Sequence, residues 1–412
     1  MPDQRESVVI GIAMDRLVNK YAAKLIAAGL AGGEDDDLPL LAGLDDALVW
    51  NRKGAETEVL NGIFDGLNIN SLVYLKPIEP YRTIIAYLAR HTDGVIEPKD
   101  CETRTFLHDL PVTSDFTTAA LTTILKKKKS VIIAPSGQPI AIAAHGTVSP
   151  EQGFVVVSSV CFACFVKFFV DYLDALRRGD ATAADHDVYD RVVPHLSSLP
   201  AAMPELLSAP FIDEKMVFRA IVQAGRRTVA HHLVDSYFGN ISYCWNDVLY
   251  ISQTGSSLDE LEGCVDPVPL DGTTSAGLTA SSELSAHLSV IERSGKRAIL
   301  HGHPKFTVIA SMDCPPEDKV QCEHRDQCHI LCPKARFVED VPIVPGEVGT
   351  GPTGLCHTLP PALESRNAAI VYGHGLFTTG RDDFNEAFRS MVDVESACRR
   401  NYFEKVAELR KF

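Results

Sequence analysis

Apolar residues recur at helical spacing in some segments of this chain and form short uninterrupted runs in others. The helical spacing predicts helices over residues 14–30 and 214–234, and a last helix that begins near Asp382. Short apolar runs predict a strand over residues 241–251, one before His301 and one before His374. Helices that alternate with strands in this way indicate an α/β fold.

Length and charge narrow the class of protein. The 412 residues exceed an ordinary single core and favour two domains. The net charge of −15 argues against nucleic acid and anionic membranes as partners, because both need a basic surface. Lys167 and Asp171 interrupt the apolar stretch 154–172, so we expect a buried helix there rather than a membrane span. The first residues lack a signal-peptide pattern, and eleven cysteines then suggest reduced thiols and a cytoplasmic setting.

Two short histidine motifs carry the strongest chemical signal. His301 and His303 close one apolar run, His374 closes another, and Glu283 lies 18 residues before His301. Residues i and i+2 of a strand point to one face, so His301 and His303 can bind a common ion. Three imidazoles and a carboxylate suit one divalent transition metal. Zn²⁺ is the first expectation, and Mn²⁺, Fe²⁺ or Co²⁺ would suit the same ligands.

The two halves of the chain resemble each other. When Glu56 is aligned with Glu283, Tyr74 falls on His301 and Lys76 on His303 without a gap. We further align His145, in Ala144-His145-Gly146, with His374. Lysine is a poor ligand because it is protonated at neutral pH. We therefore expect residues 1–180 to be a degenerate, metal-free copy, residues 181–207 a connector, and residues 208–412 the metal-binding catalytic domain.

Five pieces of the second half resemble, in order, motifs of the class II aldolase/adducin family. They are Phe238-Gly239-Asn240-Ile241-Ser242, Gln253-Thr254-Gly255, Ser281-Ser282-Glu283, His301-Gly302-His303-Pro304 and Tyr372-Gly373-His374-Gly375. The resemblance covers about residues 208–408. It implies two tandem three-layer domains, each with a central, mostly antiparallel sheet flanked by helices. It also implies a homo-oligomer, either a dimer or a tetramer.

The resemblance assigns roles to single residues. It implies that His301, His303 and His374 hold the metal and that Glu283 is the catalytic acid/base. Tyr402 is a candidate proton donor, with a packing role as the alternative. The residues expected to line the substrate pocket are Gly239, Asn240, Thr254, Gly255, Ser281 and Ser282. The implied activity is a lyase that cleaves or forms a carbon–carbon bond of a small hydroxy-carbonyl substrate through a metal-stabilised enediolate.

Departures from the family pattern leave alternatives open. Phe238 replaces a small hydroxyl residue, and the proline of the family's Thr-Pro-Ser/Thr-Gly loop is absent beside Thr254. Both changes put a phosphate-specific pocket in question, so the phosphorylation of the substrate is open. An epimerase, dehydratase or decarboxylase would use the same scaffold. A non-catalytic interaction protein, as in adducin, is the alternative outside enzymes.

Two further features stand apart from the histidines. Four cysteines fall within 19 residues, and they suit a second metal site, free or paired thiols, or a redox pair; they are Cys314, Cys322, Cys328 and Cys332. A run of four lysines, Lys126 to Lys129, follows a predicted helix. We attribute that run to macrodipole complementation and solvation.

Overall fold

The protein divides into two compact units in a computed structural model that describes residues 4–34, 37–197, 202–235, 237–273, 275–325 and 327–411. The first unit comprises Met1–Lys99, Thr103–Tyr172 and Ala181–Leu196. The second comprises Asp100–Glu102, Leu173–Asp180 and Ser197–Phe412. Each unit is an α/β structure with one mixed sheet flanked by helices, so the expected fold class is confirmed at that level.

The first sheet has the strand order β2-β1-β3-β7-β6-β5-β4, and only β5 and β6 run parallel among its described neighbours. Its strands are Leu40–Leu44 (β1), Leu48–Trp50 (β2), Ser71–Leu75 (β3), Val95–Ile96 (β4), Leu110–Thr113 (β5), Ser130–Ile133 (β6) and Ala141–Gly146 (β7). The helices of this half are Gln4–Ala27 (α1), Thr57–Gly66 (α2), Tyr81–Arg90 (α3), Cys101–Leu107 (α4), Thr118–Leu125 (α5), Pro150–Arg178 (α6) and Ala183–Val192 (α7). Residues 183–192, which we expected within a connector, thus form a helix of the first unit.

The second sheet has the order β10-β9-β8-β11-β15-β14-β13-β12, and only β13 and β14 are parallel among its described neighbours. Its strands are Asn240–Trp245 (β8), Val248–Ser252 (β9), Val265–Pro269 (β10), Ala298–Gly302 (β11), Arg336–Val338 (β12), Val341–Val344 (β13), Ala368–Val371 (β14) and Gly375–Gly380 (β15). Its helices are Glu214–Ala230 (α8), Leu284–Ser294 (α9), Lys305–Met312 (α10), Pro316–Gln321 (α11), Leu355–Leu363 (α12) and Phe384–Leu409 (α13).

The predicted strand over residues 241–251 is in fact a hairpin. Asn246 and Asp247 both have positive φ, 49° and 58°, and separate β8 from β9. A two-residue turn with positive φ at both positions matches the twist of the flanking strands, and asparagine and aspartate tolerate that conformation. The single-strand prediction was wrong because an apolar run does not reveal a tight turn inside it.

Helices cover both faces of the second sheet. Ile299 of β11 and Phe377 of β15 share an apolar core with Val290 of α9 and Leu359 of α12. On the opposite face, Gly302 approaches helix α13 so closely that a Cβ atom there would lie 3.2 Å from the sulfur of Met391. Because His301 has the same strand parity as Ile299, it faces the α9 side.

The two sheets share strand order, direction and register. The series β2 to β4 of the first sheet matches the series β9 to β12 of the second, and β10 is an added edge strand. Tyr74 pairs with Leu40 as His301 pairs with Asn240. Helices α2 and α9 both begin one residue after a glutamate, Glu56 or Glu283.

Helix α6 is long and apolar enough to cross a membrane by length and composition, yet 83% of its most apolar window is buried inside the protein. Cys161, Cys164 and Phe169 within it are almost inaccessible to solvent. The prediction of a buried core helix therefore agrees with the packing.

Candidate metal centre

The three predicted histidines converge at one end of the second sheet. His301 lies in β11, His303 directly follows that strand, and His374 precedes the neighbouring strand β15. Their ligand nitrogens all lie within 4.8 Å of one another. His301 and His303 are completely buried and His374 is 6% exposed. The three histidines predicted as ligands thus lie together because β11 and β15 are adjacent, and their role as ligands stays a prediction.

The environment of His301 selects its ligand atom. Its Nδ1 lies 3.1 Å from the carbonyl oxygen of Leu376, which can only accept, so Nδ1 carries the proton. The ring stacks on Phe377 at 3.9 Å between centroids. Nε2 therefore keeps its lone pair, and it lies 2.9 Å from Nε2 of His303. Two nitrogens bound to one tetrahedral Zn²⁺ lie about 3.3 Å apart, so this pair needs only a small adjustment.

Burial also sets the charge of these rings. Burial lowers the pKa of His301 well below its usual range, and His303 and His374 lower it further. The pKa of His303 is lowered in the same way, first by burial and then by His374. Both imidazoles are thus neutral, which is the form that binds a metal.

Glu283 completes the cluster from the residue before α9. Its Oε2 lies 3.5 Å from Nε2 of His301, and its Oε1 lies 3.4 Å from Nε2 of His374. The side chain is buried, burial raises its pKa, and Oε1 has no hydrogen-bond partner among the described residues. A buried acceptor without a donor is costly in a folded protein. A cation held by the neighbouring imidazoles would remove that cost, so the donor set fits a divalent metal.

A buried hydrogen-bonded chain orients the glutamate. The amide Nδ2 of Asn240 donates to Glu283 Oε2 over 2.6 Å. The ring Nε2 of His287 lies 2.6 Å from Asn240 Oδ1, and its Nδ1 lies 2.7 Å from Ser242 Oγ. Since the amide oxygen only accepts, Nε2 of His287 is protonated and Nδ1 accepts from the serine. Burial lowers the pKa of His287 to about 3, which keeps the ring neutral.

Sequence reasoning predicted Asn240 but missed His287 and Ser242. A signal for His287 was present, because Glu283 and His287 are four residues apart at the start of a helix and so share a face. Ser242 offered no such signal, since it lies on β8 and meets His287 of α9 only in the folded protein.

The remaining pocket residues predicted from the sequence lie on adjoining loops. Ser281 is buried, and its hydroxyl accepts from the Glu283 amide at 3.3 Å. Ser282, Thr254 and Gly255 are exposed, and the Thr254 amide donates to the carbonyl of Thr279. A bridge between Gln253 and Ala280 joins the two loops. The loop that carries Thr254 and Gly255 is therefore joined to the loop that carries Ser281, Ser282 and Glu283.

Two glycines, Gly239 and Gly375, leave space for His301 and His303. A Cβ atom on Gly239 would lie 2.7 Å from the carbonyl oxygen of His301. A Cβ atom on Gly375 would lie 2.9 Å from ring carbons of both His301 and His303. Real Cβ contacts are longer than this, so glycine at both positions keeps space for the imidazoles.

A second carboxylate near the cluster was not predicted. Oε1 of Glu102, in the segment Asp100–Glu102 of the second unit, lies 3.6 Å from Nε2 of His374. Its side chain is 24% exposed, so it is more accessible to solvent than Glu283. No local motif could reveal it, because it precedes the recognised segment by more than a hundred residues.

Tyr402, the candidate proton donor, is a buried residue. It is 4% exposed and packs against Phe306 and Phe403, with ring centroids 5.4 and 5.6 Å apart. A buried ring within its own unit agrees with the packing role that we considered as the alternative.

The four cysteines of the insert do not form a group of potential ligands like the histidine triad among the described residues. The one group of three or more potential ligands found among the described residues is the histidine triad. Cys314, Cys322, Cys328 and Cys332 are all free thiols. A second metal at these cysteines stays a prediction, beside the alternatives of free or paired thiols and a redox pair.

The first unit has apolar or basic side chains, or a tyrosine, at the positions that match the histidine cluster and its neighbours in the second unit. By strand register and helix start, Leu40, Ala42 and Leu60 stand where Asn240, Ser242 and His287 stand in the second unit. All three belong to one buried apolar cluster. Tyr74 and Lys76 replace His301 and His303, and Nζ of Lys76 lies 3.3 Å from Oε1 of Glu56. The ammonium group of Lys76 thus offsets the negative charge of Glu56.

The alignment of His145 with His374 was wrong. His145 pairs with Leu72 of β3, whereas Thr379 holds the matching place opposite Ile299 of β11. His374 lies directly before β15, and the residue directly before the matching strand β7 is Ile140. The error arose because the loop before β7 is longer than the loop before β15, which shifts the histidine-glycine match by several residues.

The match to a protein-family profile agrees with the motif resemblance. Residues 219–402 match the sequence profile of the class II aldolase and adducin N-terminal domain. Among solved structures, L-fuculose-1-phosphate aldolase from Thermus thermophilus is 22% identical with a TM-score of 0.38, and the match covers 47% of this chain and 97% of that one. YgbL from Klebsiella pneumoniae is 21% identical with a TM-score of 0.38, covering 48% and 100%. Sugar-phosphate aldolase from Thermotoga maritima is 18% identical with a TM-score of 0.34, covering 47% and 96%.

No curated protein sequence matches the chain. The assignment therefore rests on the sequence profile, which spans most of the second unit and includes the three histidines and Glu283. Residues 219–402 are accordingly identified as a domain of the class II aldolase and adducin family.

Proposed function

We propose that residues 208–412 form a metal-dependent lyase of the aldolase type, which cleaves or forms a carbon–carbon bond of a small hydroxy-carbonyl substrate. The observation that carries the proposal is the buried triad of imidazole nitrogens within 4.8 Å, with the carboxylate of Glu283 at 3.4 and 3.5 Å from two of them. A module without chemistry has no need to bury a carboxylate oxygen that lacks a hydrogen-bond donor.

The side chains of the chain itself have distinct tasks in this proposal. His301, His303 and His374 would hold the ion, most simply Zn²⁺, which would act as a Lewis acid toward the substrate oxygens. Glu283 moves a proton to or from the substrate, and Asn240 holds one of its two oxygens so that the other is available. Ser281, Ser282, Thr254 and Gly255 offer hydroxyl and amide groups for the polar end of the substrate.

The same three histidines and Glu283 would serve an epimerase, a dehydratase or a decarboxylase. In each of these reactions, negative charge that develops next to a carbonyl group must be stabilised. Product analysis separates the reactions, since only the aldolase yields two carbonyl fragments from one substrate. The phosphorylation of the substrate, a cytoplasmic setting and a homo-oligomeric state remain predictions.

We further propose that the first unit is a metal-free copy of the second. Shared strand order, direction and register support a tandem duplication. The ion pair between Glu56 and Lys76 supports the loss of metal binding, because the ammonium group supplies the positive charge.

Elemental analysis of protein purified without added metal tests the proposal. We expect one equivalent of a divalent metal per chain, its loss in His301→Ala, and its retention in the control His195→Ala, which removes an exposed histidine of the first unit. The metal-loaded protein should then cleave members of a panel of hydroxy-carbonyl compounds, with and without phosphate. Full metal content in His301→Ala, or no metal uptake by folded wild-type protein, would contradict the metal centre.

A further inference from the structure

The lysine run is held in a fixed place in the first unit. Lys126 to Lys129 connect the end of α5 to the start of β6. The amides of Lys126 and Lys127 donate to the carbonyls of Thr122 and Ile124, and the carbonyl of Lys129 accepts from the amide of His145. Backbone hydrogen bonds on both sides therefore order this segment.

A cavity of about 400 Å³ lies beside the four lysines. It is lined by Gly66, Leu67, Asn68, Ile69, Leu125, Lys126, Lys127, Lys128, Lys129, His145 and Thr147, with no carboxylate among them. Lys128 pairs with Asp109 at 2.6 Å, whereas no carboxylate partner is found within the described residues for Lys126, Lys127 and Lys129. The cavity therefore has a local excess of positive charge, in a chain that has 54 acidic and 39 basic residues.

His145 fastens the lysine segment beside the cavity. The side chain lines the cavity and is 6% exposed. Its Nε2 lies 3.2 Å from the carbonyls of both Leu125 and Lys128, so it donates a proton to them and holds the lysine segment. Its Nδ1 is buried and has no hydrogen-bond partner among the described residues. The position of the lysine segment beside the cavity is thus fixed by a buried side chain.

We propose that this cavity binds a small anion that carries phosphate groups. Lysine ammonium groups bind phosphate as point charges, and several of them around one cavity favour a ligand with more than one negative charge. The volume suits a small metabolite. The side-chain amide of Asn68, which also lines the cavity, adds a neutral donor.

Complementation of the helix dipole explains lysines at the end of α5, but it explains only part of the arrangement. It gives no reason for a cavity without carboxylates. It also gives no reason for a buried histidine that fastens the lysine segment. A ligand with phosphate groups accounts for all three features, and its binding should weaken as salt screens the charges.

Isothermal titration of the full chain with inorganic pyrophosphate tests the proposal. We expect one site per chain in the first unit, with affinity that falls as the ionic strength rises. The variant Lys127→Ala/Lys129→Ala should bind roughly tenfold more weakly, because two charges beside the ligand are lost. Both side chains are exposed, so the variant should fold, which its thermal unfolding curve will show.

The control variant Lys53→Ala/Lys215→Ala removes two other exposed lysines and changes the net charge equally. It should bind pyrophosphate as the wild-type protein does. Equal weakening in both variants would show a general effect of charge and overturn the proposal. No binding of pyrophosphate by wild-type protein at low salt, or unchanged binding in Lys127→Ala/Lys129→Ala, would overturn it as well.

Discussion

The amide of Asn240 donates a 2.6 Å hydrogen bond to one carboxylate oxygen of Glu283 and leaves the other oxygen facing His374 at 3.4 Å. The two residues are 43 positions apart and meet at the end of the sheet. His287 and Ser242 fix the orientation of the amide, so the oxygen of Asn240 cannot exchange places with its nitrogen without losing the histidine bond. The glutamate is therefore held in one orientation before any substrate arrives.

We predict that His287→Leu reduces turnover and leaves metal binding intact. Leucine stands at the matching place in the first unit, Leu60, so the fold should accept it with a loss of about 1–3 kcal/mol from unpaired Asn240 and Ser242. Loss of a residue that orients the groups around a metal typically costs roughly 10–100-fold in activity. Metal content, kcat and KM for the substrate identified by the panel check this.

The exposed His195→Leu serves as the control for His287→Leu and should behave as the wild-type protein does. A structural role alone would lower stability without a selective fall in kcat. The partial return of kcat in His287→Gln, which keeps a donor toward Asn240, would separate orientation of Glu283 from packing.

We predict that Gly375→Ala abolishes metal binding while the protein stays folded. The new methyl group would lie 2.5 Å from the carbonyl oxygen of Gly302 and 2.9 Å from the rings of His301 and His303, so it must displace the ligands. Overpacking of this kind costs about 1–3 kcal/mol. Elemental analysis and circular dichroism measure the two effects, and Gly277→Ala is the control because its methyl group meets nothing closer than 3.6 Å.

We predict that Asp313→Asn destabilises the second unit by about 3 kcal/mol. Asp313 is 8% exposed, accepts hydrogen bonds from Arg177 at 3.0 Å and from Lys405 at 2.7 Å, and its loss leaves Arg177 buried without its anion. Denaturant unfolding of this variant is compared with that of Asp187→Asn, whose pair with Arg191 is exposed. The exposed pair should contribute less than about 1 kcal/mol.

The contribution of Asp313 to the free energy of unfolding should decrease as the pH falls. Burial alone would raise the pKa of Asp313, but the hydrogen bonds from Arg177 and Lys405 hold it below its usual value. The stabilisation is therefore complete above the unfolded pKa, about 3.9, and is lost as the pH falls through the folded pKa. The difference in unfolding free energy between wild type and Asp313→Asn should shrink only in acid. A difference that grows as the pH falls would contradict this assignment.

We predict that the first unit can regain a metal site. In a His301→Ala background, Tyr74→His and Lys76→His place two imidazoles beside Glu56 at the positions that match His301 and His303. Three ligands should bind added Zn²⁺, and elemental analysis after dialysis should show one equivalent. The background variant without these changes is the control. A folded protein that binds no metal would contradict the proposed equivalence of the two sites.

Local sequence was enough to predict that His301, His303, His374 and Glu283 would lie together. His301 and His303 lie two residues apart on a strand, which sets their common face regardless of the rest of the fold, and Glu283 stands at a helix start. The helices α8 and α13 were likewise predicted close to their observed bounds, because their apolar periodicity is local. The α/β class followed from the same alternation of short-range patterns.

Tertiary structure alone decided what surrounds the triad. Ser242, His287 and Asn240 meet through strand register and helix packing, and Glu102 reaches His374 from a distant segment. Register depends on turn lengths, so the longer loop before β7 moved His145 away from the place of His374 and beside the lysine cavity. Burial keeps His301 neutral and leaves Oε1 of Glu283 without a donor among the described residues. The extent of burial depends on all the residues that surround these side chains. Side-chain periodicity is a property of a few adjacent residues, whereas register and burial are properties of the assembled sheet.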